Sequence, residues 1–511
     1  MRRSSRATLL SLATLTALTL GGPHESTAHG VLGHVHVTGW AIENLPPGEL
    51  TDLFADPEVR DAALFGAAFP DSGYAPDTIG QGTPEARAYS EHAHWEPFVE
   101  DYIQWMRAND PPPFVTLESR RRVAFLLGVA AHGMQDEVFD TLFLDQVAER
   151  DGVSDPQGEA DPGTDGFLAV DGLLRYSPDA YVPVDVLLPL FGDLDREITA
   201  DTMKQGVDML ALVYLHPTRG PRLARTLHDE HAPRIPWTRD NYLERDIPGS
   251  LRAEVGPTMR YMEAVWERLH GRFDEANLVT GAYPESPRRL RSGEVGTTDS
   301  RASLVFGVGV QARRAEVSLA GASGAPAPIT SRGTRWGGPG GWSRMLRVDP
   351  TAPLDPGATY TLEVAPGAEL VTGTLTNLTH AHTFQVDCDD ATLCPPLGDL
   401  EPWIITPPDV TSDPSADAGT SADAGDPADA GDPADAGQAP DAALPSPDSG
   451  AESDAGDTSP PAAPDPGCAA ADGADPSRSP AWVLALALAL VGLRPRLARP
   501  RCRSCSADAP R

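Results

Sequence analysis

Residues 121–146 read RRVAFLLGVAAHGMQDEVFDTLFLDQ, and this stretch carries the strongest helical pattern in the chain. Within Leu117–Arg150, Val123, Leu126, Leu127, Ala130 and Ala131 recur at helical spacing and predict one apolar face. Polar residues then continue along that same face. His132 and Asp136 stand four apart, so on a helix both project to one side, one turn apart, as two ligands of a single metal require. Taken alone, such a pair also reads as an ordinary surface or capping pair.

Working outward, the pair has company. His29-Gly30-Val31-Leu32-Gly33-His34, Phe69-Pro70-Asp71 and His92-Ala93-His94-Trp95 place further imidazoles and carboxylates in the same helical-looking segment. That segment, 29–287, contains no cysteine. The five Cys of the chain (388, 394, 468, 502 and 505) all lie toward the other end, too few and too clustered to staple the fold. The helical part must therefore be held by its core or by metal.

The 511 residues allow about three units. The 51 Pro and 48 Gly exclude one continuous helical protein, since they require extensive loop, linker or turn-rich sheet. A formal net charge of −34 argues against a general nucleic-acid binder, because such a field repels a polyanion. Residues 29–290 carry about 44 acids against 22 bases.

Several ordered motifs together carry a resemblance. GAAFPDSGY (66–74), SEHAHWEPF (90–98), the 121–146 stretch and YVPVDVLL (181–188) resemble the zinc-dependent phospholipase C/D superfamily. Within it they look most like the catalytic domain of glycosylphosphatidylinositol-specific phospholipases D, while HGVLGH is similar to the start of the fungal single-strand nucleases. The resemblance covers about 250 residues. It implies an all-α domain holding a cluster of three zinc ions. By motif, Asp71, His94, His132 and Asp136 would hold the first ion. Asp71 would bridge to a second, completed by His34 and by the α-amino and carbonyl groups of His29. The third site departs from the family pattern: its matching positions are Asp140, Asp161 and Asp165, where two imidazoles have become carboxylates. Three carboxylates suit Ca²⁺, Mg²⁺ or Mn²⁺ at least as well as Zn²⁺. The alternative is an empty site whose Asp140 and Asp161 are ordinary surface residues. Asp161-Pro162 also has the form of an N-cap followed by Pro at the first helical position. His92, Glu137 and Glu159 are spare ligands without an assigned place.

The implied chemistry is metal-assisted phosphodiester hydrolysis, with Asp71 also placed to orient or deprotonate the attacking water. A phospholipid or lipid-anchored substrate is expected, not nucleic acid. Two alternatives stand beside it: a nuclease of the same fold, and a non-catalytic surface adhesin or scaffold that keeps the fold.

The rest of the chain reads as an export and display apparatus. Residues 1–28 form a signal peptide, with Arg2, Arg3 and Arg6 before an apolar run and Ser26-Thr27-Ala28 as the cleavage site. Residues 292–388 alternate with period two, as in Tyr360, Leu362 and Val364, and resemble a bacterial Ig-like β-sandwich through DPGATYTLEV. Cys388 and Cys394 fit a small closing disulfide in an oxidising compartment. This module is expected to act as spacer or adhesive. Residues 409–467 are an Asp/Ala/Gly/Pro linker with about 13 acids and no Lys or Arg from 411 on, a composition that stays disordered. The tail, 468–511, places Cys468, a short apolar run (480–493) and an Arg cluster in the order of a MYXO-CTERM-like sorting signal. It implies a sorting protease acting at Cys468, or retention as a membrane anchor, and in either case an exported protein at the cell surface or outer membrane, or released from it.

Overall fold

Thr116 begins the central helix by accepting a hydrogen bond from the Ser119 amide at 3.0 Å, a side-chain cap that satisfies one of the free N–H groups of the first turn. The computed structural model describes residues 30–216, 220–291, 300–333, 339–400 and 402–405. The expected leader, His29, the acidic linker and the tail lie outside them. Among the described residues, no helix is long and apolar enough to cross a membrane.

The helices that build the site are α1 (Val31–Glu43), α2 (Pro57–Ala68), α3 (Pro84–Ala93), α4 (Glu96–Asn109), α5 (Leu117–Val138), α6 (Pro156–Val170), α7 (Ala200–Leu210), α8 (Gly220–His231) and α9 (Leu251–Leu269). The apolar face of α5 is buried at Val123, Leu126, Leu127, Ala130 and Ala131. Each Val or Leu there stabilises the fold by roughly 1.5–3 kcal/mol. α2 crosses α5 at backbone contact. A Cβ on Gly66 would lie 2.3 Å from the Phe125 carbonyl oxygen, and one on Gly128 would lie 2.0 Å from that of Ala63. This close approach brings the last turn of α2 against His132.

One sequence expectation changes in register, the helix start at Asp161. α6 starts at Pro156, capped by Asp155, whose carboxylate accepts from the Gly158 amide at 3.0 Å. Asp161 and Pro162 therefore lie inside the helix and do not begin it. The same Asp-Pro signature occurs at both places, and the upstream copy is the one used; Pro162 removes one backbone hydrogen bond from the interior. The central helix runs past Val138, over the Leu117–Arg150 span that the apolar pattern predicts. It passes through a π-helical turn, Phe139–Phe143, into Leu144–Asp151. A second π turn, Ala211–Leu215, follows α7. Such turns widen a helix by one residue and re-aim the side chains on it.

After the helices come two four-stranded antiparallel sheets. The strands are β1 (Val279–Tyr283), β2 (Ala302–Gln311), β3 (Val317–Gly321), β4 (Pro326–Ala327), β5 (Ile329–Gly333), β6 (Trp342–Pro350), β7 (Thr359–Val364) and β8 (His380–Gln385). Their orders are β1-β2-β6-β5 and β4-β3-β7-β8. β1 lies upstream of residue 287, where the helical pattern of the sequence ends, and pairs with β2 downstream of it. Tyr360, Leu362 and Val364 are buried on one face of β7, as the alternation predicts. Cys388 and Cys394 form a disulfide.

The first sheet is covered on both faces, so all ten residues of β2 are buried. Leu304, Phe306, Val308 and Val310 share a core with Leu362, Val364 and Phe384 of the other sheet, while Val305 and Met345 belong to the helical core. At the end of the described chain, Trp403 lies against Gly256 of α9 with the Arg245 guanidinium over its ring at 5.0 Å. Beside it, the Ile404 backbone exchanges two hydrogen bonds with the Asn44 side chain, at 2.8 and 2.9 Å.

Candidate metal centre

Five of the sequence-selected residues meet at one buried point. His34 comes from the first turn of α1, Asp71 from the single 3₁₀ turn (Phe69–Gly73) that continues α2, His94 from the C-terminal end of α3, and His132 and Asp136 from α5. His34 Nε2 lies 3.2 Å from Asp136 and 4.0 Å from Asp71. His94 Nε2 lies 3.6 Å from Asp71 and 3.8 Å from Asp136, and His132 Nε2 lies 3.2 Å from Asp136. Among the described residues, two groups of potential ligand atoms converge within 4.8 Å: His34, His132 and Asp136, and Asp71, His94 and His132.

The far side of each imidazole fixes its tautomer. His34 Nδ1 donates to Gln135 Oε1 at 2.9 Å, His94 Nδ1 to the Ser90 carbonyl at 2.7 Å, and His132 Nδ1 to the Ala67 carbonyl at 2.7 Å. A carbonyl oxygen only accepts, so each Nδ1 carries the proton and each Nε2 lone pair turns into the cluster. Neither oxygen of Asp71, though buried, has a hydrogen-bond partner among the described residues. Three oriented lone pairs facing two carboxylates, one of them without hydrogen bonds, fit a divalent cation.

Electrostatics agree with this reading. Burial would depress the His94 imidazole, but Asp71, Asp136 and Glu91 carry it up to about 9. His34 is likewise raised against burial, by Asp136 and Asp71. His132 is lowered, by burial and by the neighbouring His34 ring stacked on it at 3.7 Å. Asp136, despite burial, is held well below the usual carboxylate range by His132 and His34. The carboxylates thus attract positive charge, and the crowded rings cannot all carry it as protons.

The cluster is closed at His34 and His132, both 0% exposed, and reaches solvent at His94 (8%) and Asp136 (9%). Tyr74 and Trp95 flank His94 there, and both hydrogen-bond to the Glu91 carboxylate, at 2.8 and 3.1 Å.

Asp140, Asp161 and Asp165 are also buried nearby, but they do not join either converging group. Asp140 sits on the π turn after α5. Asp161 is raised well above the carboxylate range by burial and by Asp140, Asp136, Asp71 and Asp165. Asp165 has another partner: its carboxylate accepts from the Gly33 amide at 2.9 Å and the Leu32 amide at 3.3 Å, capping the α1 turn that carries His34. Burial still pushes it up to about 7.

Sequence reasoning missed three residues here. Gln135 orients His34 and passes its own amide to Thr38 Oγ1 at 2.9 Å. Glu254, fully buried on α9, is raised well above its usual range by burial and by Asp136 and Asp140. Tyr214, on the second π turn, is raised by burial and by Asp165 and Asp71. The spare acids and imidazole find other places. Glu137 faces β6, Glu159 binds His231 and Arg234, and His92 packs edge-on against Phe98 and Phe191.

Fold and site together define a helical protein with a sheet region and a buried His/Asp cluster suited to a divalent metal. No family model matches the chain. It is similar to the phosphatidylinositol-glycan-specific phospholipases D of Mus musculus (30% identical over 200 residues, 37% of this chain and 23% of that protein) and Rattus norvegicus (29% over 180 residues, 33% and 21%). The corresponding Homo sapiens protein is 26% identical over 217 residues, 38% of this chain and 25% of that protein. The chain therefore spans a quarter or less of the length of the curated relatives it matches. The relationship is distant and partial, and it supports a phospholipase D-like ancestry.

Proposed function

We propose that this chain is a metal-dependent phosphodiesterase acting on phospholipid-type headgroups. The observation that carries the reading is the set of three imidazoles anchored through Nδ1 with their Nε2 atoms converging on Asp71 and Asp136. The partial similarity to phospholipases D supplies the substrate class.

His34, Asp71, His94, His132 and Asp136 would hold zinc, one of the metals that mixed imidazole and carboxylate donors suit. His29, once cleavage after Ala28 makes it the first residue, would add its α-amino group. When bound, such ions supply Lewis acidity toward phosphate oxygens and a lowered pKa for a coordinated water. Asp71, buried between His34 and His94, has oxygens to spare for orienting a water or taking its proton. The Asp140, Asp161 and Asp165 set, with Glu254 beside it, crowds buried carboxyl groups, and a hard cation such as Ca²⁺, Mg²⁺ or Mn²⁺ would favour their ionised form. Tyr74, Trp95 and Glu91 form the exposed rim where a headgroup would enter. Export and attachment at the cell surface belong to the same proposal and rest on the sequences of 1–28 and 468–511.

The test is an assay of purified mature protein, supplied with zinc, on phosphatidylcholine vesicles, a glycosylphosphatidylinositol-linked protein and single-stranded DNA at moderate salt. Hydrolysis of a lipid substrate that is lost on chelation is the expected result. Faster hydrolysis of DNA would overturn the lipid reading in favour of a nuclease, and inactivity on all three with zinc, calcium or manganese present would favour a scaffold.

A further inference from the structure

The pairing of β2 with β6 breaks where the sheet meets the helices. Its register passes from Val305–Met345 directly to Val310–Ser343, so residues 306 to 309 of β2 stand opposite the single residue Arg344. Such an irregularity re-aims the side chain at that point. The Arg344 guanidinium, fully buried, leaves the sheet and enters the helical layer.

There it meets two of the four segments that carry the cluster, the one with His94 and the one with His132 and Asp136. Arg344 Nη2 donates to the His94 carbonyl oxygen at 2.8 Å, and Nε donates to Glu96 at 2.9 Å. Nη1 lies 3.4 Å from Glu137, the residue after Asp136, and the Arg344 amide donates to the same carboxylate at 2.8 Å. Ser343 Oγ adds a third contact to Glu137 at 3.0 Å. Room for the guanidinium is made at Gly133, one residue after His132. A Cβ there would lie 2.3 Å from Arg344 Nη1 and 2.5 Å from the His94 carbonyl oxygen.

We propose that Arg344 is a positioning residue for the metal cluster, a fork from the sheet region that fixes the spacing between the His94 backbone and the His132–Asp136 helix. The proposal rests on the metal-site reading above. The His94 ring is held at one end by the Ser90 carbonyl and its backbone at the other by Arg344, so the direction of Nε2 depends on both. A planar guanidinium donates along two edges at once, whereas an ammonium acts as a point charge. The sheet region is in this respect part of the site and not a spacer appended to it.

The test uses the whole mature chain loaded with Co²⁺, whose d–d absorption reports ligand geometry. Arg344→Lys keeps a cation beside Glu96 and Glu137 but loses the fork. It should shift the cobalt band, weaken Co²⁺ binding about tenfold or more, and lower kcat with little change in KM. Arg268→Lys is the control. Arg268 is also buried and pairs with Glu96 and Glu100 without touching the His94 carbonyl, so its variant should lose stability and keep the wild-type cobalt spectrum. If Arg344→Lys does not fold, Gly133→Ala keeps every charge, presses on the same contact and should give the same spectral shift. A wild-type spectrum, affinity and kcat in Arg344→Lys would overturn the proposal, as would equal shifts in Arg268→Lys. If the wild-type chain bound no cobalt, the metal reading would fail and the proposal with it; wild-type binding with unaltered variants defeats the proposal alone.

Discussion

Gln135 Oε1 accepts a hydrogen bond from His34 Nδ1 at 2.9 Å, so the residue just before the ligand Asp136 aligns a ring delivered by a different helix. The α1 contribution to the cluster is thereby locked to α5.

Gln135→Leu should leave His34 without its acceptor and weaken zinc binding by about 10–100-fold, while Gln135→Glu, which retains an acceptor oxygen, should lose less. Competition against a chromophoric zinc chelator would measure both. Unchanged affinity in the Leu variant would show that His34 is aligned without Gln135.

His132→Ala and Asp161→Asn should have opposite effects. The first removes a ring that both converging groups share and takes from Asp136 one of its two imidazole neighbours at 3.2 Å, so zinc per chain falls. The second relieves crowding among buried carboxylates and should raise the melting temperature of the metal-free protein, on the order of 1 kcal/mol or roughly 2 °C. Elemental analysis and a melting curve in chelator decide it; a destabilised Asp161→Asn would mean that this carboxylate is structurally needed.

Chelation should lower thermal stability in a concentration-linked way. A ligand that binds only the folded chain adds about 4 kcal/mol at a thousandfold excess over its Kd. Melting curves across a zinc series should therefore rise with the logarithm of free zinc. A flat series would mean that the cluster is stable without an ion.

His36 sets an acid limit that is independent of metal. It is buried, accepts from the Arg175 and Tyr176 amides through Nε2, and burial lowers it to about 4. An imidazole that stays neutral in the fold but protonates near 6.5 when unfolded costs nothing above that pH. The loss grows as pH falls from 6.5 toward 4 and levels off below, reaching about 3 kcal/mol. Urea melts of wild type and His36→Gln between pH 7 and 4 test it. The variant should have a flatter profile, and parallel profiles would exclude His36 as the cause.

How far the sequence could be read depends on how local each signal is. His34, Asp71, His94, His132 and Asp136 lie in short ordered motifs, and periodicity alone puts His132 and Asp136 on one face of α5. Gln135 gives no such signal, because a glutamine between a histidine and an aspartate on a helix reads as surface. Glu254 lies over a hundred residues beyond Asp136, and only tertiary packing brings its carboxylate near. The two-sided burial of β2 was partly visible: in ASLVFGVGVQ, Gly307 and Gly309 share a face with Val305, and glycine inside a strand marks close approach by another element. That face meets Ala264 and Glu96. Arg344 was hidden, since its direction depends on a break in strand pairing that alternation does not encode. Asp161-Pro162 misled because helix-start chemistry is local and occurs twice.

The Trp403–Ile404 segment has a mechanical consequence. Any tension drawn through the chain beyond residue 405 is met first by the Asn44 amide and by a tryptophan seated on α9, not by the strands of either sheet. Load applied from that end would peel a short clasp one contact at a time before reaching the ladder that carries Arg344, so the clasp works as a strain relief for the buried cluster.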